Sequence, residues 1–224
     1  MTRVAIIFLG ALAAILMSYT ALTILPAYQL ATIEPSPAAQ PYTNIELAGR
    51  EIYIREGCIY CHSQQVRPEG FGKDLERGWG SRGSVPGDYV YDRPHLLGTM
   101  RTGPDLADIA TRQPSRDWHL AHLYNPRSVS SYSHMPPYPW LFEVRPEASV
   151  LASERPVPIP APYTPPEGYV VVPTAEAEAL YAYLMRLRQE PAAPPALDLP
   201  PTTFDGSAPL SGTPNAADTS GAAD

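Results

Sequence analysis

The sequence predicts an all-α fold, with one N-terminal transmembrane helix and a small helical domain whose helices are joined by long loops. Three observations predict it. A charge-free apolar run extends from Val4 to Leu25, later segments carry the caps and spacing of amphipathic helices, and the glycine- and proline-rich stretches between them show little periodicity. The 224 residues suffice for one domain of ordinary size plus appendages.

The apolar run is long enough to cross a membrane as a helix. A helix rises about 1.5 Å per residue and the hydrocarbon core is about 30 Å thick, so about 20 residues suffice. A cleaved signal peptide is the alternative, but its apolar region usually has about 7–15 residues, and no clear small-x-small cleavage site follows. We expect residues 1–30 to be an anchor, and Arg3 weakly favours a cytoplasmic N-terminus.

Composition divides the remainder of the chain. Residues 31–43 are rich in proline and alanine, which predicts an extended spacer between membrane and domain. Residues 44–190 are expected to form the domain, with a proline-dense insertion of extended chain or loops at 146–173. The tail, residues 191–224, has too few apolar residues to offset the entropy of ordering, so it is expected to be disordered.

Three helices are predicted within the domain, over residues 44–57, 115–124 and 174–189, with Asn44, Ser115 and Thr174 as N-caps. The first and last are expected to cross near Gly49, where the missing side chain permits close approach beneath Tyr53. The segment from Gly70 to Gly103 predicts a long structured loop.

Charge excludes one class of partner. The formal net charge is −7 at pH 7, and acidic and basic residues balance between Pro41 and Arg145. This distribution provides no basic face, so binding of nucleic acid is not expected.

The only two cysteines, Cys58 and Cys61, form the motif CIYCH with His62. This is the attachment signature of a c-type haem. Thiols at this spacing can form thioethers to the two vinyl groups of one haem, and the adjacent histidine can bind the iron. A redox CxxC, part of a zinc site or a disulfide fits less well, because the chain has no further cysteine and no thioredoxin-like pattern. The motif predicts one covalent haem c on the exported side of the membrane.

A sixth iron ligand must come from a methionine or another histidine. Met135 is preferred because it lies in SHMPPYPW, where prolines stiffen a loop that could hold its thioether over the haem. Met100 is a competitor, and His134 stays open because it adjoins Met135. Met185 is expected to pack in the last helix. The remaining candidates, expected to be packing or surface residues, are His95, His119 and His122.

Four further residues are expected to contact the haem. Gly103 and Pro104 lie in the segment TGPDL, where the Pro104 carbonyl would accept the ring N–H of His62 and fix its tautomer. Arg67 and Arg101 could pair with haem propionates or with a partner subunit, and a solvated surface role fits equally well. With histidine and methionine filling both axial positions, such a haem transfers electrons and leaves no open site for substrate. No catalytic residue is therefore expected.

Three segments carry a family resemblance: EGCIYCHSQQVRP (56–68), GDYVYDRPHLLGTMRTGPDLA (87–107) and WHLAHLYNPRSVSSYSHMPPYPWL (118–141). They closely resemble the mono-haem c subunit, subunit II, of the cbb-three-type haem-copper oxidases. The resemblance extends from the anchor to about Phe142. The sequence departs from the family pattern at Met100, where a basic residue is expected. The resemblance does not explain residues 146–173 or the tail.

The resemblance implies a cytochrome c domain docked on a polytopic catalytic subunit that holds the b haems and copper. It implies attachment at Cys58 and Cys61, axial ligation by His62 and Met135, and electrons from a di-haem c subunit or a soluble cytochrome c. The domain would face the outer side of a bacterial cytoplasmic membrane, and oxygen reduction would occur in the catalytic subunit. The alternatives left open are the haem c subunit of a nitric oxide reductase, a free-standing anchored electron carrier and, less favoured, a peroxidase-like haem enzyme.

Overall fold

The structure, a computed structural model, describes residues 2–189. Its N-terminal part is one continuous helix, Arg3–Ala31, made of α1 (Arg3–Tyr19), a π-helical stretch (Thr20–Ile24) and α2 (Leu25–Ala31). The most apolar 18 residues of the helix have a mean hydropathy of 2.2, and none of them is buried against the rest of the protein. The 29 residues of the helix are enough to span a membrane, as a single-pass anchor requires.

The spacer after the anchor packs on the domain. Ser36 donates from its backbone N–H to the Gly87 carbonyl at 3.0 Å and from its hydroxyl to Asp88 at 2.6 Å. Farther along, Arg186 donates to the carbonyls of Ala38 and Gln40 at 3.0 and 2.6 Å. Residues 33–42 therefore form a strap attached to the domain at both ends, a feature that composition alone did not predict.

Two helices form the centre of the domain, α3 (Asn44–Arg55) and α6 (Ala175–Arg186). They cross at Gly49, as predicted, because a Cβ atom placed there would overlap the Ala179 carbonyl and lie 2.8 Å from Tyr183 Cβ. Beside the crossing, the rings of Tyr53 and Tyr183 lie 5.4 Å apart. The close approach buries both tyrosines, each at most 1% exposed, in the main apolar core.

The shorter helices flank this pair. They are α4 (Ile109–Arg112) and α5 (Arg116–Tyr124), and the Ser115 hydroxyl caps α5 as predicted. Thr174 likewise caps α6, although that helix ends at Arg186 rather than Gln189. The N-cap of α3 was placed one residue too late. Thr43, not Asn44, makes a reciprocal capping box with Glu46, since its hydroxyl accepts from the Glu46 N–H.

The all-α prediction is correct only in part. Strand β1 (Phe142–Pro146) ends where the proline-rich segment begins, and β2 (Tyr169–Pro173) lies at the end of that segment. The two strands pair antiparallel with Val144 opposite Val171. The consecutive valines of β2 favour a strand, and prolines occur only at strand ends, where they cost no ladder hydrogen bond. The proline count of residues 146–173 concealed the short apolar run that forms β2. The predicted disordered tail, 191–224, lies outside the described residues.

Candidate functional site

The CIYCH motif forms a tight turn directly after α3. Gly57 ends the helix with a φ of 75°, and residues Cys58–Tyr60 follow as one 3₁₀ turn. The backbone N–H groups of Cys61 and His62 both donate to the Cys58 carbonyl, at 3.2 and 3.0 Å. Both cysteines are free thiols, with Cys58 half-buried and Cys61 exposed. The turn thus presents two thiols and an imidazole from one short segment.

The segment that contains Gly103 and Pro104 holds the motif from one side. Gly103 donates from its backbone to the Cys61 carbonyl at 2.9 Å, and the His62 ring atom Nδ1 lies 2.7 Å from the Pro104 carbonyl oxygen. A Cβ atom at Gly103 would lie 2.7 Å from both ring nitrogens of His62. The imidazole therefore rests on the glycine backbone, with Nδ1 as a hydrogen-bond donor and Nε2 available as a ligand atom.

Burial controls the ionisation of the motif. It lowers the pKa of His62, although the Pro104 carbonyl opposes this shift, so the ring stays neutral as a metal ligand must be. Burial likewise raises the pKa of the Cys58 thiol to about 12, with smaller contributions from Glu56 and Cys61. Free thiolate at Cys58 is thus disfavoured near neutral pH, which argues against a reactive redox cysteine.

Met135 lies in a loop beside the motif. The side chain is half-buried against the apolar core, and its backbone N–H donates to the Ser133 hydroxyl at 3.2 Å. Three residues later Tyr138 is buried beside both thiols, where burial first and then Cys58 and Cys61 raise its pKa to about 12. The loop that contains Met135 and Tyr138 therefore passes beside the two cysteines.

The competing ligand candidates occupy less suitable places. Met100 is 58% exposed and His134 is also exposed. His119 is buried, with Nε2 2.7 Å from the Gln113 carbonyl oxygen, and Met185 packs against the core from α6. Among these side chains, Met135 combines partial burial with a place in the loop that passes the cysteines.

Arg101 is occupied by the protein itself. Its three guanidinium nitrogens donate to the Ser63 hydroxyl at 2.8 Å, to Asp74 at 2.6 Å and to the Gln65 carbonyl at 2.5 Å. These bonds brace the chain directly after the motif. Arg67 is exposed, and its backbone N–H donates to Asp74 at 2.7 Å. A structural role for Arg101 is thus favoured over pairing with a propionate.

Two side chains near His62 that sequence reasoning did not assign to the site each have a buried nitrogen atom without a hydrogen-bond partner in residues 2–189: Arg112 at Nε and His122 at Nδ1. Both residues are close enough to His62 for their charges to interact electrostatically. A haem fits these residues, since its propionates are acceptors for such donors and Gly103 leaves the cradle that the axial imidazole needs. The signal available in the sequence was the i, i+4 spacing of Trp118 and His122 on one helix face.

The fold and this site define a membrane-anchored helical domain built to hold one haem. A family model described as "Cytochrome C oxidase, mono-heme subunit/FixO" matches residues 1–159, which include the apolar helix, the CIYCH turn and the Met135 loop. The chain belongs to this family. Membership implies one haem and a place in a membrane-bound cytochrome oxidase complex with a separate catalytic subunit. A comparison with curated proteins found no match.

Proposed function

We propose that this chain is the electron-transfer subunit of a cbb-three-type terminal oxidase, carrying one haem c bound covalently through Cys58 and Cys61. The observation that carries the proposal is the CIYCH turn backed by Pro104, in which the hydrogen bond at His62 Nδ1 leaves Nε2 for iron. When bound, the haem supplies a one-electron redox centre. The residues around it supply attachment, axial ligation and exclusion of water.

In this proposal Met135 is the second axial ligand. Its partial burial in a loop stiffened by Pro136 and Pro137 supports that role, because a fixed thioether keeps both axial positions filled and prevents substrate from binding the iron. Electrons would arrive from a di-haem c subunit or a soluble cytochrome c and leave to the haem b and copper subunit. The domain would lie on the outer side of the membrane, where c haems are attached.

The test is Met135→Leu in a host that matures c haems, with Met100→Leu as the matched control. We expect the wild-type ferric protein to show the long-wavelength charge-transfer band of methionine coordination, and the Met135 variant to lose the band and fall in midpoint potential. The control should keep both, because Met100 is exposed. A reversed pattern would assign the ligand to Met100, and two unchanged variants would remove methionine from the proposed site.

A further inference from the structure

His122 is a half-buried side chain near the motif that has no role in the proposed function. It lies on α5, and its Nδ1 atom is buried with no hydrogen-bond partner within residues 2–189. Leaving a buried polar group unpaired destabilises the folded protein. An unpaired buried atom in a folded protein requires an explanation, and for His122 Nδ1 a bound group that pairs with it is one such explanation.

The packing of α5 fixes the orientation of this ring. His122 stacks on Trp118, one turn earlier, with ring centroids 4.7 Å apart and planes 8° apart. His119 on the same helix has its hydrogen bond already, to the Gln113 carbonyl. The two histidines therefore differ: His119 has a hydrogen-bond partner, whereas His122 is stacked on Trp118 and has a buried Nδ1 atom without one.

The surroundings of His122 indicate the chemistry of the missing partner. His62 lies close enough to help lower the pKa of His122 to about 4, after burial and His119, so the ring is neutral and carries one N–H. Arg112, with its own unpartnered Nε, lies near His62 as well. Two unused nitrogen atoms beside the proposed iron ligand suit an acceptor that carries negative charge.

We propose that His122 donates from Nδ1–H to a propionate carboxylate of the haem held by His62, an inference that rests on the proposed function. His122 is then a positioning residue for the cofactor. By drawing negative charge away from the haem it makes the ferric state less favourable and raises the midpoint potential. Trp118 keeps the imidazole in the plane that this bond requires.

The experiment compares His122→Phe, which keeps an aromatic ring for Trp118 and loses the donor, with His122→Asn, which keeps an N–H donor close to the position of Nδ1. His95→Phe, at an exposed site away from Met135, is the control. At a fixed solution potential, we expect the His122→Phe variant to have an oxidised-to-reduced haem ratio up to about tenfold higher than wild type. For one electron, this corresponds to a fall in midpoint potential of up to about 59 mV. The Asn variant should shift it less, and the control should match wild type.

A second measurement uses the wild-type holoprotein, so the result does not depend on whether a variant folds. In the reduced protein, ¹⁵N-detected NMR should show a protonated His122 Nδ1 with slow exchange and contacts to the propionate methylenes. An unprotonated Nδ1, or wild-type potential in both variants, would overturn the inference and leave His122 as a packing partner of Trp118. Absence of covalent haem from the wild type would instead overturn the proposed function, which separates the two failures.

Discussion

Replacing Gly103 with alanine tests how the motif holds its histidine. The new Cβ would lie 2.7 Å from both ring nitrogens of His62, whereas ordinary contacts begin at 3.4 Å. The ring must therefore retreat by more than about 0.7 Å if the backbone stays in place, because Cε1, between the two nitrogens, would lie nearer still. The 2.7 Å hydrogen bond to the Pro104 carbonyl would then lengthen beyond the normal range. If the iron of the proposed haem binds the imidazole, the ring cannot simply rotate away.

The magnitude follows from the hydrogen bond that is lost. Such a bond contributes about 0.5–1.5 kcal/mol, and because it increases the basicity of the imidazole it favours ferric iron. If the whole contribution acts on the ferric state, the midpoint potential of Gly103→Ala should rise by about 20–60 mV. An equilibrium redox titration of the detergent-solubilised holoprotein, followed by visible absorption, measures this rise.

The control is Gly10→Ala, in the membrane helix, where nothing lies within 4 Å of the added Cβ. It should leave the potential at the wild-type value. A Gly103 variant with unchanged potential and unchanged absorption would refute the reasoning, because it would show that the imidazole does not rest on this glycine when haem is bound.

Three further predictions concern the framework around the site. Gly49→Ala should lower the free energy of unfolding by about 1–3 kcal/mol in chemical denaturation, because its Cβ overlaps the Ala179 carbonyl and forces α3 from α6. His119→Gln should flatten the fall in stability between about pH 6.5 and pH 4. Burial lowers the pKa of His119 to about 4 in the folded protein, below the value of about 6.5 expected in the unfolded chain. As the pH falls through this range the unfolded chain takes up a proton first, so up to about 3 kcal/mol of folding stability is lost. Arg186→Gln should make the strap, residues 33–42, cleave at least several-fold faster in limited proteolysis, because the carbonyls of Ala38 and Gln40 lose their donor.

Each of these has an outcome that would contradict it. Equal stability of Gly49→Ala and wild type would mean that the two helices separate at little cost. An unaltered pH slope in His119→Gln would assign the acid sensitivity to other groups, His122 first among them because its pKa is also about 4. Unchanged cleavage in Arg186→Gln would show that Ser36 and Asp88 hold the strap without help, and Arg188→Gln, on the neighbouring arginine, is the matched control.

Local signals in the sequence were sufficient for the parts of this protein that depend on neighbouring residues. The caps at Ser115 and Thr174 were found because a cap hydroxyl bonds to an N–H three residues away. The glycine at the helix crossing was found because glycine weakens the interior of a helix, and close approach of a second backbone compensates for that cost.

The missed features depend on contacts between residues far apart in the chain. The strap is held by Arg186, about 148 positions from Ala38, and no local pattern signals that bond. The strands were hidden because a high proline count described the whole 146–173 stretch, while pairing required only its last few residues and the five residues 142–146. Arg112 and His122 were missed because an unpartnered atom becomes visible only when its whole surroundings are known.

The strap also gives the membrane anchor a physical connection to the CIYCH turn. Tyr42, at the end of the strap, donates its hydroxyl to Asp92 at 2.7 Å, and Asp92 pairs with Arg50 of α3 at 3.3 Å. The Arg50 and Asp92 side chains are only 8% and 7% exposed, so the pair contributes little net stability, but loss of one partner would be costly. Such a pair acts mainly by selecting one packing arrangement of the strap on α3. Because α3 leads directly into Cys58, the contacts that fix the strap also fix where the proposed haem lies relative to the anchor, as the proposed electron transfer to a membrane-embedded subunit would require.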